Sequence, residues 1–492
     1  VYAPPYLAAA QMTSGTLAYS HGMGRPVVST PYWHAAELLA DGSGVLIPFD
    51  NPAGFGPAIA DLLNNEIERL AMGRKAYAAS RPMIWANTAR RYAASFRAAC
   101  RKGRIATGDR MDIPKPIPTI AQTKAQPNLP PMSLDHLAAM CDDTGMAQHA
   151  VHAIADRSHG YCIDDNARAL LLCCGLADGP DAPLARRLSS TFAAFIQHGW
   201  NPDNRRFRNF MSFDRRWLED AGSEDSHGRT LWALGTYSAR ACSSGHARWA
   251  RELFSEALDG VVAFTSPRAW AFTLLGLAPY CAVYAEDYAA AGLRAELADR
   301  LEKLLSAREG PEWTWFENGL SYDNARLPQA LIVTGAAMRS ANIVEAGLRS
   351  LRWLVPMQTS GEGHFRPVGS HGFLMASRNM PQAFDQQPLE ACATIAACIA
   401  AQRVDPGFSW HAEAERAFAW FLGANDLGIE LADVATGSCR DGLHPDRANE
   451  NRGAESVLSF LLSLADMQRL NAMNRPAPPQ TIAPSTHDTV DA

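Results

Sequence analysis

Across residues 133–474 apolar positions recur at helical spacing almost without interruption, and two kinds of helix alternate. One kind is apolar on nearly every face and follows a polar loop: DDNARALLLCC from Asp164, EDSHGRTLWALG from Glu224, SPRAWAFTLLGLA from Ser266, YDNARLPQALIV from Tyr322, FDQQPLEACATIAACIA from Phe384 and ENRGAESVLSFLLSL from Glu450. The other kind is amphipathic: SLDHLAAMC, LARRLSSTFAAFIQHGW, HARWARELFSEALDGVVAF, AGLRAELADRLEKLLS, ANIVEAGLRSLRWLV and HAEAERAFAWFLGA. A helix that is apolar all round predicts full burial, and a one-sided helix predicts half-exposure. The alternation therefore predicts a closed ring of helical hairpins, apolar helices inside and amphipathic ones outside, with almost no strand.

Residues 1–101 have a different rhythm. PVVST (Pro26 to Thr30) and GVLIPF (Gly44 to Phe49) read as buried strands, while AIADLLNNEIERLAMGRKAYAAS and ANTARRYAASFRAAC read as amphipathic helices. Two strands are too few for a doubly wound sheet, so this segment predicts a partial α/β, Rossmann-like piece of a larger parallel-sheet domain. Residues 102–132 carry Pro114, Pro116, Pro118, Pro127, Pro130 and Pro131 and predict a linker. The ring domain spans 133–474, and the Pro/Ser/Thr-rich 475–492 predicts a disordered tail.

A formal charge of -6 without a dense Lys/Arg run argues against nucleic acid or an anionic membrane as partner. No apolar stretch long enough to span a bilayer and no signal-peptide pattern is present, which leads to the expectation of a cytoplasmic protein. The 10 cysteines are scattered without CxxC spacing, and no His pair has chelate spacing, so reduced thiols and no metal or cofactor are expected.

Candidate chemistry gathers at the starts of the apolar helices. The tetrapeptide Asp-Asn-Ala-Arg occurs at residues 165–168 and again at 323–326, heading the first and fourth of them. Five of the six starts carry acids: Asp164 and Asp165, Glu224 and Asp225, Asp323, Asp385, and Glu450 with Glu455. Each alone reads as an N-cap. Capping does not call for the neighbours, however: Trp313, Trp315, Glu317 and Asn318, Asn324, His227 and Arg229, His364 and Arg366, Gln386 and Gln387. Planar rings, amides and several carboxylates are what a sugar cleft requires, with acid pairs for glycosidic chemistry. Asp165 facing Asp323 or Asp385, beside Asp164, is the expected catalytic set, and the remaining loop residues are expected to bind substrate. Carboxyls about 5 Å apart suit a retaining mechanism and about 6.5–9.5 Å an inverting one. His227, His364, His371 and His444 support a rival, proton abstraction by imidazole.

Two resemblances follow from these residues. TSGTLAYSHGMGRPVVSTPYWHAAELLADGSGVLIPF, Thr13 to Phe49, resembles the nucleotide-sugar half of family 4 (GT-B) glycosyltransferases, whose pattern runs Glu-x7-Glu-Ala-x-Ala-x-Gly-x-Pro-Val-Val and ends in Gly-x-Leu-Val-x-Pro. The resemblance implies a nucleotide-sugar donor for a longer transferase, with Gly15, Thr16 and Glu37 near it. This chain departs from the pattern at Gln11 and Tyr19, which stand where the family has its two acids. The ring resembles the six-hairpin (α/α)6 toroid glycosidases and, more loosely, the N-acylglucosamine 2-epimerase group. Together they imply a bacterial fusion of a glycosyltransferase part with a toroid that binds an oligosaccharide and cleaves or rearranges it. The alternatives are an epimerase-type toroid and a non-catalytic glycan-binding module whose acids are consumed by arginine pairing, as Arg168 and Arg326 are placed to do.

Overall fold

In the computed structural model the six apolar segments become the helices Ile163–Gly175, Glu224–Arg240, Pro267–Val283, Arg326–Met338, Pro388–Val404 and Ala454–Met473. They are called the first to sixth inner helices below. Each packs on the next, and the sixth returns to the first. The amphipathic segments become Asp135–Ala139, Ala182–Gly199, Ser244–Leu258, Tyr288–Arg308, Ala341–Met357 and Trp410–Ala419, each lying against an inner helix. The structure describes residues 1–10, 14–85, 87–92, 129–310, 312–370, 374–376 and 382–473. It divides the chain into two compact units, residues 1–125 and 126–492.

The burial patterns explain the layering. The fifth inner helix buries an unbroken run from Pro388 to Cys398, as a helix apolar on all sides must. In Ala341–Met357 burial recurs at Ile343, Ala346, Gly347, Leu351, Leu354 and Val355, which is one stripe at helical spacing. The second and third inner helices touch backbone to backbone, since a Cβ on Gly235 would overlap the Gly276 carbonyl. Only glycine permits that approach.

The ring unit is not as free of strands as its sequence suggests. Ala147–Val151, Ile154–Cys162 and Phe210–Met211 form a three-stranded antiparallel sheet beside the start of the first inner helix. Its hairpin tip projects outward, with Val151 55% and Ile154 74% exposed. A strand wet on both faces has no alternation of apolar and polar residues to betray it.

In the first unit, Val27–Ser29 and Gly44–Leu46 pair in parallel with Val27 opposite Gly44. Helix Trp33–Leu38 lies between them in sequence. Val27 packs with Leu17, Tyr32, Ala35 and Leu39, whereas Val28 packs with Ile47 and Leu62. Successive side chains thus serve opposite faces, as the pleat dictates. The long helix expected after them is broken at Asn65 into Phe55–Asn64 and Glu66–Ser80. Asn65 leaves the helical region and its Oδ1 accepts from Glu68 N at 3.1 Å, capping the second piece. Most of the next expected helix, most of the linker and the tail lie outside the described residues, as does Gln11.

Candidate functional site

The starts of the inner helices converge on a cavity of about 450 Å³. Asp164, Asp165 and Arg168 enter it from the first inner helix, Asp225 and Arg229 from the second, and Glu455 from the sixth. Tyr322, just before the fourth, and Gln387, the N-cap of the fifth, complete that wall. Helix starts present unpaired N–H groups and partial positive charge, a setting that attracts acidic side chains such as those gathered here.

The repeated tetrapeptide occupies two different backbone settings. Residues 165–168 lie inside the first inner helix, whereas Asp323 precedes the fourth and takes a left-handed φ of 50°. Both copies nevertheless make the same internal contacts. Arg168 Nη1 is 2.9 Å from Asp165 Oδ1, and Arg326 Nε is 3.2 Å from Asp323 Oδ1. Each asparagine ties down its preceding loop: Asn166 Oδ1 accepts from Met146 N at 2.9 Å and Asn324 Oδ1 from Ser321 N at 3.0 Å. The copies therefore serve to anchor two opposite walls of the ring.

Arg229 joins those walls. Its Nε donates to Asp164 at 2.7 Å and its Nη2 to Asp323 at 2.8 Å, with the guanidinium 4.0 Å above the Phe272 ring. Arg168 gathers the other acids, reaching Asp164 at 2.7 Å and Glu455 at 2.7 Å. Behind the wall Glu390 accepts from the Asp323 and Asn324 backbone N–H groups and from Asn324 Nδ2.

This network separates the acids by environment. Burial pushes Asp165 up to about 7, with Asp164 and Glu455 adding to the effect against the pull of Arg168. Burial and the Asp323 charge likewise push Glu390 up to about 7. Burial alone would also raise Asp323, but Arg229, Arg326 and Arg168 hold it below the usual carboxylate range.

Several expected site residues are placed elsewhere. Asp323 is fully buried, is held by two arginines and does not line the cavity, so it is not the exposed partner of Asp165 expected from the repeat. Asp385 also lies outside the lining, with its Oδ1 2.9 Å from His444 Nδ1. The tryptophan loop is core: Trp315 is buried and stacks on Trp353, and Trp313 packs edge-on against the same ring. Glu317 pairs with Arg268 at 2.7 Å. Glu224 accepts from the backbone N–H groups of Thr265 and Ser266, a structural bond between loops. His227 is buried, bonded to Phe207 N and Ala257 O, and burial lowers it to about 3. His364 and Arg366 both pair with Asp426, buried Gln386 accepts from Trp420 Nε1, and Glu450 pairs with Arg440. Asn324 is buried as part of the anchor described above. Long polar side chains at loop-to-helix junctions find partners on neighbouring loops, which is why residue type alone overstated the site.

The cavity also draws on residues the sequence did not single out. The hairpin supplies Gln148, His149 and Cys162, the third strand and the residue before it supply Phe210 and Asn209, and Asp441 and Asn449 come from the segment before the sixth inner helix. His149 lies 4.6 Å ring to ring from His159, and partial burial together with His159 lowers its pKa. The signal available was position, since HAVHAIADRSHGYC ends at Cys162, two residues before Asp164. Among the described residues no group of three His, Cys, Asp or Glu is placed to hold a metal ion. None of their helices is long and apolar enough to cross a membrane. In the first unit, Gly15, Thr16 and Glu37 are exposed, and Thr16 Oγ1 accepts from the Tyr2 hydroxyl at 2.6 Å.

Six helical hairpins closed into a ring, with polar loops meeting at one mouth, define an (α/α)6 toroid. Solved structures share that fold. A cellobiose 2-epimerase from Bacillus thermoamylovorans B4167 matches with a TM-score of 0.55 at 9% identity, over 68% of this chain and 96% of that one. A sugar epimerase from a ruminal bacterium matches with a TM-score of 0.53 at 10% identity, over 68% of this chain and 95% of that one. A D-mannose isomerase matches with a TM-score of 0.52 at 7% identity, over 68% and 96%. No family model matches the chain, and no curated protein matches it in sequence.

Proposed function

We propose that the toroid is a carbohydrate-active enzyme that cleaves or rearranges a glycan in the cavity at the inner-helix starts. The observation that carries the reading is one cavity lined by Asp164, Asp165, Asp225, Asp441 and Glu455 against only Arg168 and Arg229. Arg168 and Arg229 pair with Asp164, Asp165 and Glu455, whereas among the described residues Asp225 and Asp441 line the cavity bonded only to neutral donors, and amides at Gln148, Asn209, Gln387 and Asn449 offer partners for hydroxyl groups. Asp165, buried and pushed up to about 7, is suited to carry a proton at neutral pH, with the carboxyls of Asp164 and Glu455 held close to it by Arg168. The fold shared with sugar epimerases and an isomerase supports the substrate class. Incubation with a panel of oligosaccharides, followed by proton NMR of the anomeric region, tests it. New reducing ends support cleavage, a changed sugar at constant chain length supports rearrangement, and no change with any sugar refutes both.

A second reading, epimerisation, draws on His149, a histidine lining the cavity whose lowered pKa favours the neutral imidazole, the form able to accept a proton. Solvent deuterium appearing at a sugar carbon, lost in His149→Gln, would select it over cleavage. For residues 1–101, the parallel strand pair and the Thr13 to Phe49 motif support a C-terminal part of a family 4 glycosyltransferase. Binding of a nucleotide-sugar by the chain, abolished by Glu37→Ala, tests that part.

A further inference from the structure

At the opposite ends of the first and second inner helices lies a second cavity of about 210 Å³ with the reverse electrostatic character. Its charged lining residues are Arg186 and Arg240, and no aspartate or glutamate lines it. Among the described residues neither guanidinium forms an ion pair, although Arg186 Nε donates to Ala182 O at 3.3 Å in its own helix. Arg240 lies in the last turn of the second inner helix, where a cation complements the helix dipole. That account fails for Arg186, which lies toward the N-terminal end of Ala182–Gly199, where the dipole disfavours a cation.

The rest of the wall combines apolar residues, Cys173, Cys174, Ala177 and Ala185, with hydrogen-bonding ones. The Tyr237 hydroxyl lies 3.2 Å from Ser189 Oγ and 2.9 Å from His246 Nδ1. Ser243, the N-cap of Ser244–Leu258, brings the start of a 15-residue helix to the same cavity. We propose that this cavity binds a phosphoryl group, free or carried by a small sugar, between the Arg186 and Arg240 guanidiniums. Two fork-shaped donors satisfy the oxygens of such a group.

Isothermal titration calorimetry of the full chain with inorganic phosphate and with glucose 6-phosphate tests the proposal. Saturable binding is expected, weakened about tenfold or more by Arg186→Gln and by Arg240→Gln, each of which removes a charge-assisted bond. Arg187→Gln, exposed and outside the lining, should leave affinity unchanged. Both tested arginines are exposed, so the variants are expected to fold, which thermal melts verify. Tighter binding of glucose 6-phosphate supports an esterified ligand, and equal binding supports recognition of the phosphoryl group alone. The proposal is overturned if neither compound saturates the protein, or if affinity survives both arginine substitutions.

Discussion

Arg229 is the strut between two walls of the ring, and its replacement tests whether the network does structural work. Arg229→Met keeps the apolar stem over Phe272 and removes the guanidinium. Asp323, fully buried, then retains only Arg326 at 3.2 Å, while Asp164 retains Arg168 at 2.7 Å. Most of the cost therefore falls at Asp323, and breaking one side of a buried pair costs about 3–5 kcal/mol. For a unit this large about 2 °C of melting temperature is lost per kcal/mol, giving a fall of roughly 6–10 °C. All of the 12 tryptophans except Trp33 and Trp85 lie in residues 126–492, so tryptophan fluorescence follows the ring unit during a thermal melt. Asp323→Asn alone should also destabilise. The double variant should fall short of the sum of the two by about 1–3 kcal/mol, because the second change removes a charge already stranded by the first. Additivity within about 0.5 kcal/mol would refute the reasoning.

The acids pushed up by burial set a pH dependence of opposite sign to that of an ordinary paired carboxylate. Asp165 and Glu390 sit near 7 when folded and near 4 when unfolded, so their stabilisation is complete below about pH 4 and lost as pH rises through about 7. The ring unit should melt lower at about pH 8 than at about pH 5.5, and Asp165→Asn or Glu390→Gln should flatten the difference. Asp323, held low, should destabilise the unit only as pH drops below about 4, visible as acid sensitivity lost in Asp323→Asn. Asp165→Asn and Glu455→Gln are each expected to reduce glycan turnover at least about 100-fold, as loss of a proton-transfer group does, checked by the NMR assay. Residues 1–101 alone should show no hydrolysis of or transfer from a nucleotide-sugar by an assay for released nucleoside diphosphate, because Gln11 and Tyr19 stand at the acid positions and a cleft enzyme needs both walls.

The ring was legible because each of its helices writes its own burial into nearby residues. A predominantly apolar run such as Leu389 to Cys398 announces an inner helix, and a single stripe such as that of Ala341–Met357 announces an outer one. The parallel pair was equally visible in PVVST and GVLIPF, whose apolar runs are short and bounded by turn residues. Even the mouth where the polar loops meet followed from the order of loop and helix, and Asp164, Asp165, Asp225 and Arg229 do line it.

Which acids face the cavity was decided by partners far away in sequence. Asp165 and Asp323 belong to identical tetrapeptides, yet one borders the cavity and the other is sealed behind it. The difference lies in Arg229 and Glu390, which come from other helices and reach Asp323 only once the ring has closed. The Trp313 and Trp315 loop was likewise claimed by the core through Trp353, and the His149 hairpin reached the site although its wet strands carry no periodic signal. Periodicity is a property of neighbouring residues and survives in one dimension. Ion pairing and loop burial are contests between segments, and the winner exists only in three.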